Sequence, residues 1–453
     1  MIDIPHIATH TQSENGLNGT KHPKSSRLPG FYKKSLADRV KTVAHWANLT
    51  ADEQNVLLGQ GLTPVQAANM IENAIGTTQL PLGVACNFLI NGQEILIPMA
   101  IEEPSVLAAV SASAKLIREG GGFTATTTDP VMIGQIQVLD IPDMDAAIAA
   151  VQANKERLME LANQCSPSIV RRGGGARDIE TRPFLETPVG PMLIIHLLYD
   201  TRDAMGANAI NTAVETMAPL VAELTRGRTN LRILSNLTDR RLARAVCTIP
   251  ASALATNGIP GPQVARQIAE ANAFAVVDPY RATTHNKGIM NGIDAVCLAT
   301  GNDWRAIEAG AHAYAARNGR YSSLTDWHVD ENGDLYGEIV LPLAVGVVGG
   351  ATKVHPTAKV AMKILNIQSA AELAQVMACV GLAQNLAAIK AMATVGIQQG
   401  HMRMHARQVA MAAGAPDDWV EAITEQLINE DNIRVERAKE ILDGMKKEEL
   451  VHG

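Results

Sequence analysis

Residues 284–294 read Thr-His-Asn-Lys-Gly-Ile-Met-Asn-Gly-Ile-Asp, so a lysine (Lys287) and two asparagines share a glycine-punctuated stretch, and Gly301-Asn302-Asp303 follows soon after. In most proteins a lysine near an aspartate in a turn forms a surface ion pair. Its chemical reading is an ammonium that stabilises a developing oxyanion, its charge tuned by the neighbouring carboxylate. Near the C-terminus, Gly400-His401-Met402-Arg403-Met404-His405 sets two histidines four residues apart, the spacing of one helix face. The second position of an HExxH motif holds no glutamate, which argues against zinc. An imidazole there suits a general acid, because it titrates closest to neutrality. A third stretch, Asp203-Ala204-Met205-Gly206-Ala207-Asn208, falls between an expected strand and an expected helix. Gly206 permits close backbone approach, and unpaired N–H groups at the helix start favour an anion such as a pyrophosphate. Such turns are more often structural than phosphate-binding, and no GxGxxG stands in a βαβ context to support a Rossmann fold.

These side chains need elements to hold them. Helical segments are expected over residues 35–75, then a hairpin over 88–97 whose Asn91-Gly92 pair tolerates the positive φ angles of a tight turn. The second strand runs into Glu102-Glu103-Pro104-Ser105, and a helix to about Arg118 stops at Gly120-Gly121-Gly122. Pro104 suits the first helical position, which puts Glu103 at a strand-to-helix junction. Between 131 and 236 the pattern reads strand (134–141), helix (144–163), two strands (182–185 and 192–199), helix (209–224) and strand (231–237). This β-α-β-β-α-β order is the ferredoxin-like signature, placed as an insert in a larger domain. Beyond 236 the chain is Ala-rich and reads as mostly helical, with a long small-residue helix over 370–396 and a charged amphipathic one over 419–447. The expected class is therefore α+β.

Composition limits the partners. Of 453 residues, 47% are hydrophobic, 19% charged and 3% aromatic, with a net charge of −7. Six Tyr, five Phe and four Trp cannot fill so large a core, so it must be aliphatic and closely packed through Ala and Gly. A mild acidic excess and scarce aromatics exclude a phosphate-backbone or base-stacking partner. Five scattered cysteines without a CxxC pair exclude a disulfide framework and a zinc ribbon, and fit a reduced cytoplasm. No apolar run approaches the length of a membrane span, and residues 1–26 read as a polar tail without a signal-peptide apolar region.

Taken together, Glu72-Asn73-Ala74-Ile75-Gly76, Glu102–Ser105, Asp203–Asn208, Thr284–Asp294, Gly301–Asp303 and Gly400–His405 resemble the 3-hydroxy-3-methylglutaryl-CoA (HMG-CoA) reductase family, in its class II form. The resemblance covers about residues 26–445 in order. It implies a two-step, four-electron reduction of a thioester to an alcohol, giving mevalonate and free CoA with NADPH or NADH. Glu103, Lys287, Asp303 and His401 match the family's catalytic glutamate, lysine, aspartate and histidine. Lys287 would hold the thioester oxygen and His401 would protonate the departing thiolate. Glu103, held near Lys287 and Asp303 with a raised pKa, would move protons in the collapse and the second reduction. Ser105, Arg281, Asn291 and Gln384 are carried over as substrate contacts. Asp203, Met205, Gly206, Asn208 and Asn236 are carried over as cofactor contacts, and the Glu72–Gly76 segment as part of a homodimer interface. The implied division is a tail (1–26), a substrate domain (27–130 and 237–397), an inserted cofactor domain (131–236) and a mobile C-terminal flap (398–453).

One departure bears on the cofactor. Where NADH-preferring relatives carry an aspartate, this chain has Ser166, followed by Arg171 and Arg172 ahead of Gly173-Gly174-Gly175. Loss of a carboxylate and gain of arginines favours a 2′-phosphate, hence NADPH and biosynthetic reduction; solvated arginines are the plainer reading. The other functions to weigh are NAD-linked mevalonate oxidation in the degradative direction and a non-redox CoA-ester-binding or acyl-transfer protein. A cysteine-nucleophile aldehyde dehydrogenase is unsupported, since no cysteine sits in a Gly-rich elbow or beside a matched histidine.

Overall fold

A computed structural model describes residues 24–394 and 396–452, with the side chains of 351, 397–404, 417 and 447–452 outside the described set. Within it the strands are β1 (Leu82–Ile90), β2 (Gln93–Ala100), β3 (Thr124–Thr127), β4 (Val131–Leu139), β5 (Gly175–Phe184), β6 (Met192–Asp200), β7 (Arg228–Ser235), β8 (Leu242–Ile249), β9 (Thr325–Val329) and β10 (Leu335–Pro342). They form a β1-β2 hairpin and two four-stranded sheets, ordered β3-β8-β10-β9 and β5-β6-β4-β7, with every neighbouring pair antiparallel. Asn91 and Gly92 turn the hairpin at φ 50° and 76°, the left-handed conformation that Asn and Gly adopt most readily.

The β5-β6-β4-β7 sheet has the strand order that the β-α-β-β-α-β pattern requires. The helices Met144–Ala153, Lys155–Gln164 and Ala207–Thr225 cover it. Val138, Leu193, Ile195 and Leu197 of the sheet share a core there with Val151, Leu158, Val214 and Met217 of the helices. The segment expected as one helix over 144–163 is two, broken at Asn154 between them.

A second core surrounds the helix Ala370–Ala393, which packs against Pro279–Ala299 and Val106–Arg118. Its small residues allow close helix contact: a Cβ on Gly292 would lie 3.0 Å from Gln384 Cβ. The aliphatic core expected from composition is present, with Phe88, Tyr199 and Trp327 among the few fully buried aromatics. Ala370–Ala393 is also long and apolar enough to cross a membrane by length and composition, although 67% of that apolar stretch is buried inside the protein. All five cysteines are free.

Several expectations need correction. The region after 236 is not simply helical, because β8, β9 and β10 complete a sheet there. β8 reads Leu-Ala-Arg-Ala-Val-Cys-Thr-Ile and alternates half-buried and buried positions, but its small residues mask that period in the sequence. Helices over 35–75 are three short ones ending at Ala68, and the expected 419–447 helix is split into Asp417–Asn429 and Val435–His452. These two and Ile397–Ala412 share a separate small core of Ala406, Ala410, Ile423, Leu427 and Leu442. Ser26, assigned to the tail, is fully buried; its hydroxyl donates to the Phe88 carbonyl at 2.9 Å and lies 2.5 Å from Glu94 Oε2. Residues 1–23, the rest of that tail, lie outside the described residues.

Candidate active site

Residues 284–294 form the middle of the helix Pro279–Ala299. Asp278 caps it by accepting from the Arg281 backbone N–H, and Pro279 fills the first position, where no N–H is needed. Lys287 and Asn291 stand one helical turn apart, so both can reach a single carboxylate oxygen. Glu103 Oε2 lies 3.0 Å from Lys287 Nζ and 3.1 Å from Asn291 Nδ2. Lys287 is 62% exposed and Glu103 36%. An ion pair this open contributes at most about 1 kcal/mol to folding, so stability does not account for the arrangement.

Pro104 does not start the following helix. Val106–Arg118 begins after Ser105, whose φ of 73° is left-handed and cannot continue into a helix. For a non-glycine residue that conformation costs of order 1–3 kcal/mol and collects at functional sites. Asp303 stands at the start of the next helix. Its Oδ1 caps the helix Trp304–Ala315, accepting from the N–H groups of Arg305 (3.1 Å) and Ala306 (3.2 Å), and meets the Arg305 side chain. The structure thus joins Glu103 to Lys287 and Asn291, and sets Asp303 at the N-terminus of the Trp304–Ala315 helix.

Two further residues suit a bound anion or polar group. The half-buried Arg281 has no acidic partner among the described residues, its Nη2 lying 3.7 Å from Met392 Sδ, and burial lowers its pKa. Gln384 sits against Gly292 on the neighbouring helix, and its buried Oε1 receives no hydrogen bond. A buried acceptor left unpaired costs about 1–3 kcal/mol, which a ligand donor would recover.

Asp203–Asn208 is anchored through its backbone and one carboxylate. Asp203 Oδ1 accepts from the Ala370 N–H at 3.0 Å, and Arg241 donates to the carbonyls of Ala204 and Met205 at 3.1 and 3.2 Å. Gly206 has φ 104°, and a Cβ there would sit 2.3 Å from Thr201 Cγ2. No side chain caps the helix Ala207–Thr225 that follows, so its first N–H groups stay available. Asn208 and Asn236 are exposed, and the Asn236 carbonyl faces Gly310 of the Trp304–Ala315 helix closely enough that a Cβ there would lie 2.8 Å away. These features fit a dinucleotide cradle.

Ser166 precedes the short helix Pro167–Arg171 and faces Tyr199. Arg171 and Arg172 are exposed and have no acidic partner among the described residues. Sequence reasoning missed their neighbours. Arg177 and Arg202 both bond the Gly173 carbonyl and the fully buried Asp200 carboxylate. Adjacency of Arg202 to Asp203 was the available signal. The helix backbone of His401 is described, but its side chain lies outside the described residues. No group of metal ligands occurs among the described residues.

Also unforeseen is an acid pair behind the Lys287 helix. Burial and Glu308 raise the pKa of Asp294 to about 8, and Asp294 Oδ1 receives no hydrogen bond. Glu308 Oε2 lies 2.6 Å from His312 Nε2, and His312 Nδ1 lies 2.7 Å from the Tyr321 hydroxyl. Burial first, and then Glu308, favour the protonated form of Asp294, while His312 holds the Glu308 pKa down.

Fold and site define an α+β protein with a cation–carboxylate pair on one set of elements and a turn before an uncapped helix start on another. Residues 35–406 match the family model for hydroxymethylglutaryl-coenzyme A reductase. The chain is 52% identical over 422 residues to the 3-hydroxy-3-methylglutaryl-coenzyme A reductase of Archaeoglobus fulgidus, covering 93% of this chain and 95% of that one. It is 34% identical over 341 residues to a probable reductase of the same name from Borreliella burgdorferi, covering 75% and 77%. Among solved structures, the class II reductase of Streptococcus pneumoniae bound to NADPH, in open conformations, is 42% identical with a TM-score of 0.77, covering 91% of this chain and all of that one. A second structure from that organism gives a TM-score of 0.79 at 42% identity, covering 92% and 99%. The chain belongs to the hydroxymethylglutaryl-coenzyme A reductase family. It is an NAD(P)H-dependent oxidoreductase acting on HMG-CoA.

Proposed function

We propose that this enzyme runs in the reductive direction, from HMG-CoA to mevalonate and free CoA, with NADPH as its preferred donor and Lys287, Glu103, Asp303 and His401 as its catalytic groups. The observation carrying the site assignment is the Lys287–Glu103 contact at 3.0 Å, with Asn291 on the same oxygen. Two dinucleotides, bound one after the other, would each supply one hydride to the same carbon, first as the thioester carbonyl and then as the aldehyde. Lys287 stabilises the alkoxide formed at the thioester oxygen by placing a fixed positive charge there. That alkoxide collapses to an aldehyde and expels the CoA thiolate, which His401 protonates. Glu103 supplies the proton to the aldehyde oxygen in the second reduction, so two protons are consumed per CoA released. Arg281 pairs with the free carboxylate of the substrate, as its lack of an acidic partner supports. Ser105, Asn291 and Gln384 take the remaining polar groups.

Asp203, Met205, Gly206, Asn208 and Asn236 hold the dinucleotide, its pyrophosphate at the Ala207–Thr225 helix start. Ser166, Arg171 and Arg172 favour the 2′-phosphate, supported by two exposed arginines with no acidic partner among the described residues.

The assembly and layout belong to the same proposal: a cytoplasmic homodimer, with a substrate domain, a cofactor domain over 131–236, and the last three helices as a flap that brings His401 to the substrate. Val65, Ile71 and Ile75 are strongly exposed beside Glu72, which a second copy would cover. The cofactor reading is tested by kcat/KM with NADPH and with NADH on HMG-CoA. A ratio favouring NADPH is expected, and one favouring NADH overturns it.

A further inference from the structure

The helix that carries Arg281, Lys287 and Asn291 is fastened through buried polar groups that the proposed chemistry leaves unused. His285 is 2% exposed, and its Nε2 lies 2.7 Å from the Thr325 hydroxyl and 3.0 Å from Asn385 Nδ2. Asn385 directly follows Gln384 on the helix Ala370–Ala393, and Thr325 opens β9. The fully buried Asn286, next to Lys287, donates to the Ser322 carbonyl at 2.9 Å and accepts from the Leu324 N–H at 3.0 Å. The two residues just ahead of Lys287 thus tie its helix to the Gln384 helix and to the segment leading into β9.

One donor fixes the protonation of this group. An indole N–H can only donate, so the Asn385 atom 2.8 Å from Trp327 Nε1 is the amide oxygen. The Asn385 amide nitrogen therefore faces His285 and donates to Nε2, which must accept. The Thr325 hydroxyl, also 3.0 Å from Asn385 Oδ1, stands between two acceptors and donates to one of them. The proton of the neutral ring then sits on Nδ1, an atom with no hydrogen-bond partner among the described residues. A second proton would set one N–H against another at Asn385. Burial, and then Arg281 one helical turn away, lower the pKa of the ring to about 3, so it is uncharged at neutral pH. Arg281 and Lys287 flank it in the chain, and a third cation between them would repel both.

We propose that His285 is a positioning residue for the reduction: its uncharged ring, accepting from Asn385, holds the Arg281–Lys287–Asn291 helix against the Gln384 helix and so sets the spacing between the groups that bind the substrate and the group that stabilises its reacting oxygen. The inference rests on the reading of Arg281, Lys287 and Gln384 as site residues. It gives the His285–Asn385 pair a role in turnover without contact with substrate or cofactor.

The test uses the full-length wild type and the variants His285→Leu, His285→Gln and Asn385→Asp, with steady-state kinetics, melting temperatures and nitrogen NMR spectra of histidine-labelled protein. In the wild type the ring should show the neutral Nδ1–H tautomer throughout about pH 5 to 8, its signal assigned by its loss in His285→Gln. His285→Leu removes the acceptor and should lower kcat by about tenfold or more, the scale on which small misplacements of reacting groups act. KM for NADPH should stay within about twofold of the wild type. A glutamine carbonyl can stand where Nε2 does, so His285→Gln should recover most of the lost kcat. Asn385→Asp sets a carboxylate against Nε2; it should move the ring proton there, raise the pKa of the ring, and give kcat an additional fall toward acid pH. A wild-type ring that carries its proton on Nε2, or that titrates in this range, overturns the proposal. So does a His285→Leu enzyme that melts and turns over like the wild type, a His285→Gln enzyme that melts like the wild type but is as slow as His285→Leu, or an equal loss in kcat and in NADPH affinity. If His285→Leu fails to fold, the wild-type spectrum and the contrast of His285→Gln with Asn385→Asp decide the matter. Undiminished turnover in Lys287→Ala overturns the site reading itself, whatever the His285 variants do.

Discussion

The two halves of the proposed site are held in opposite ways. The Asp203–Gly206 turn is locked from behind by backbone carbonyls, a buried arginine and the N–H of Ala370. The Glu103–Lys287–Asn291 group is built from side chains alone and lies open to solvent. A dinucleotide presents the same anion in every turnover, so a fixed cradle loses nothing. A thioester oxygen that changes charge requires groups that can respond, and an open cleft requires something to close it. The contrast assigns binding to the rigid half and proton movement to the adjustable half.

Removing the adjustable charge should have the largest effect. Lys287→Ala should cut kcat by at least about 10²–10³-fold, the cost of losing a principal oxyanion partner, with CoA-ester affinity still measurable. Near-normal turnover in a steady-state assay would dissolve the division. Next comes the rigid half. Gly206→Ala forces a Cβ to within 2.3 Å of Thr201 Cγ2 at φ 104°. NADPH affinity should fall by about tenfold or more while CoA-ester affinity holds, read by paired titrations. A smaller and more selective effect is expected where charge, not shape, decides. Replacing Arg171 and Arg172 by Ser should raise KM for NADPH several-fold and leave KM for NADH unchanged. An equal change with both cofactors would remove these residues from the 2′-phosphate.

The smallest effect concerns the acid pair behind the Lys287 helix. Asp294 keeps its proton in the fold to about pH 8 but loses it near 3.8 when unfolded. The fold therefore binds a proton that the unfolded chain releases. This stability contribution is complete below about pH 4 and is lost as pH rises toward about 8. Asp294→Asn mimics the protonated acid and should flatten that part of the melting-temperature profile. An unchanged slope would place the proton elsewhere.

Much of this was legible in the residues and some was not. The Asn91-Gly92 turn and the strand–helix alternation after 131 carry local chemistry that acts through neighbouring residues, so pattern alone located them. The helix through 284–294 is hard to see in the sequence because Gly288 and Gly292 look like breakers. Gly292 instead lets the Gln384 helix approach, a reason that lies about ninety residues away in the chain. The place of Asp303 near Glu103 is implied by resemblance alone, whereas its cap on the Trp304–Ala315 helix follows from its position just before that helix. Arg241 carried no signal, since most of its partners are backbone carbonyls, which every residue has.

The most direct measurement follows absorbance at 340 nm and free thiol together during turnover of HMG-CoA with NADPH. The account predicts two NADPH consumed for each CoA released in the wild type, and neither change in Lys287→Ala. Release of CoA without NADPH oxidation, or with only one NADPH per thiol, would contradict it.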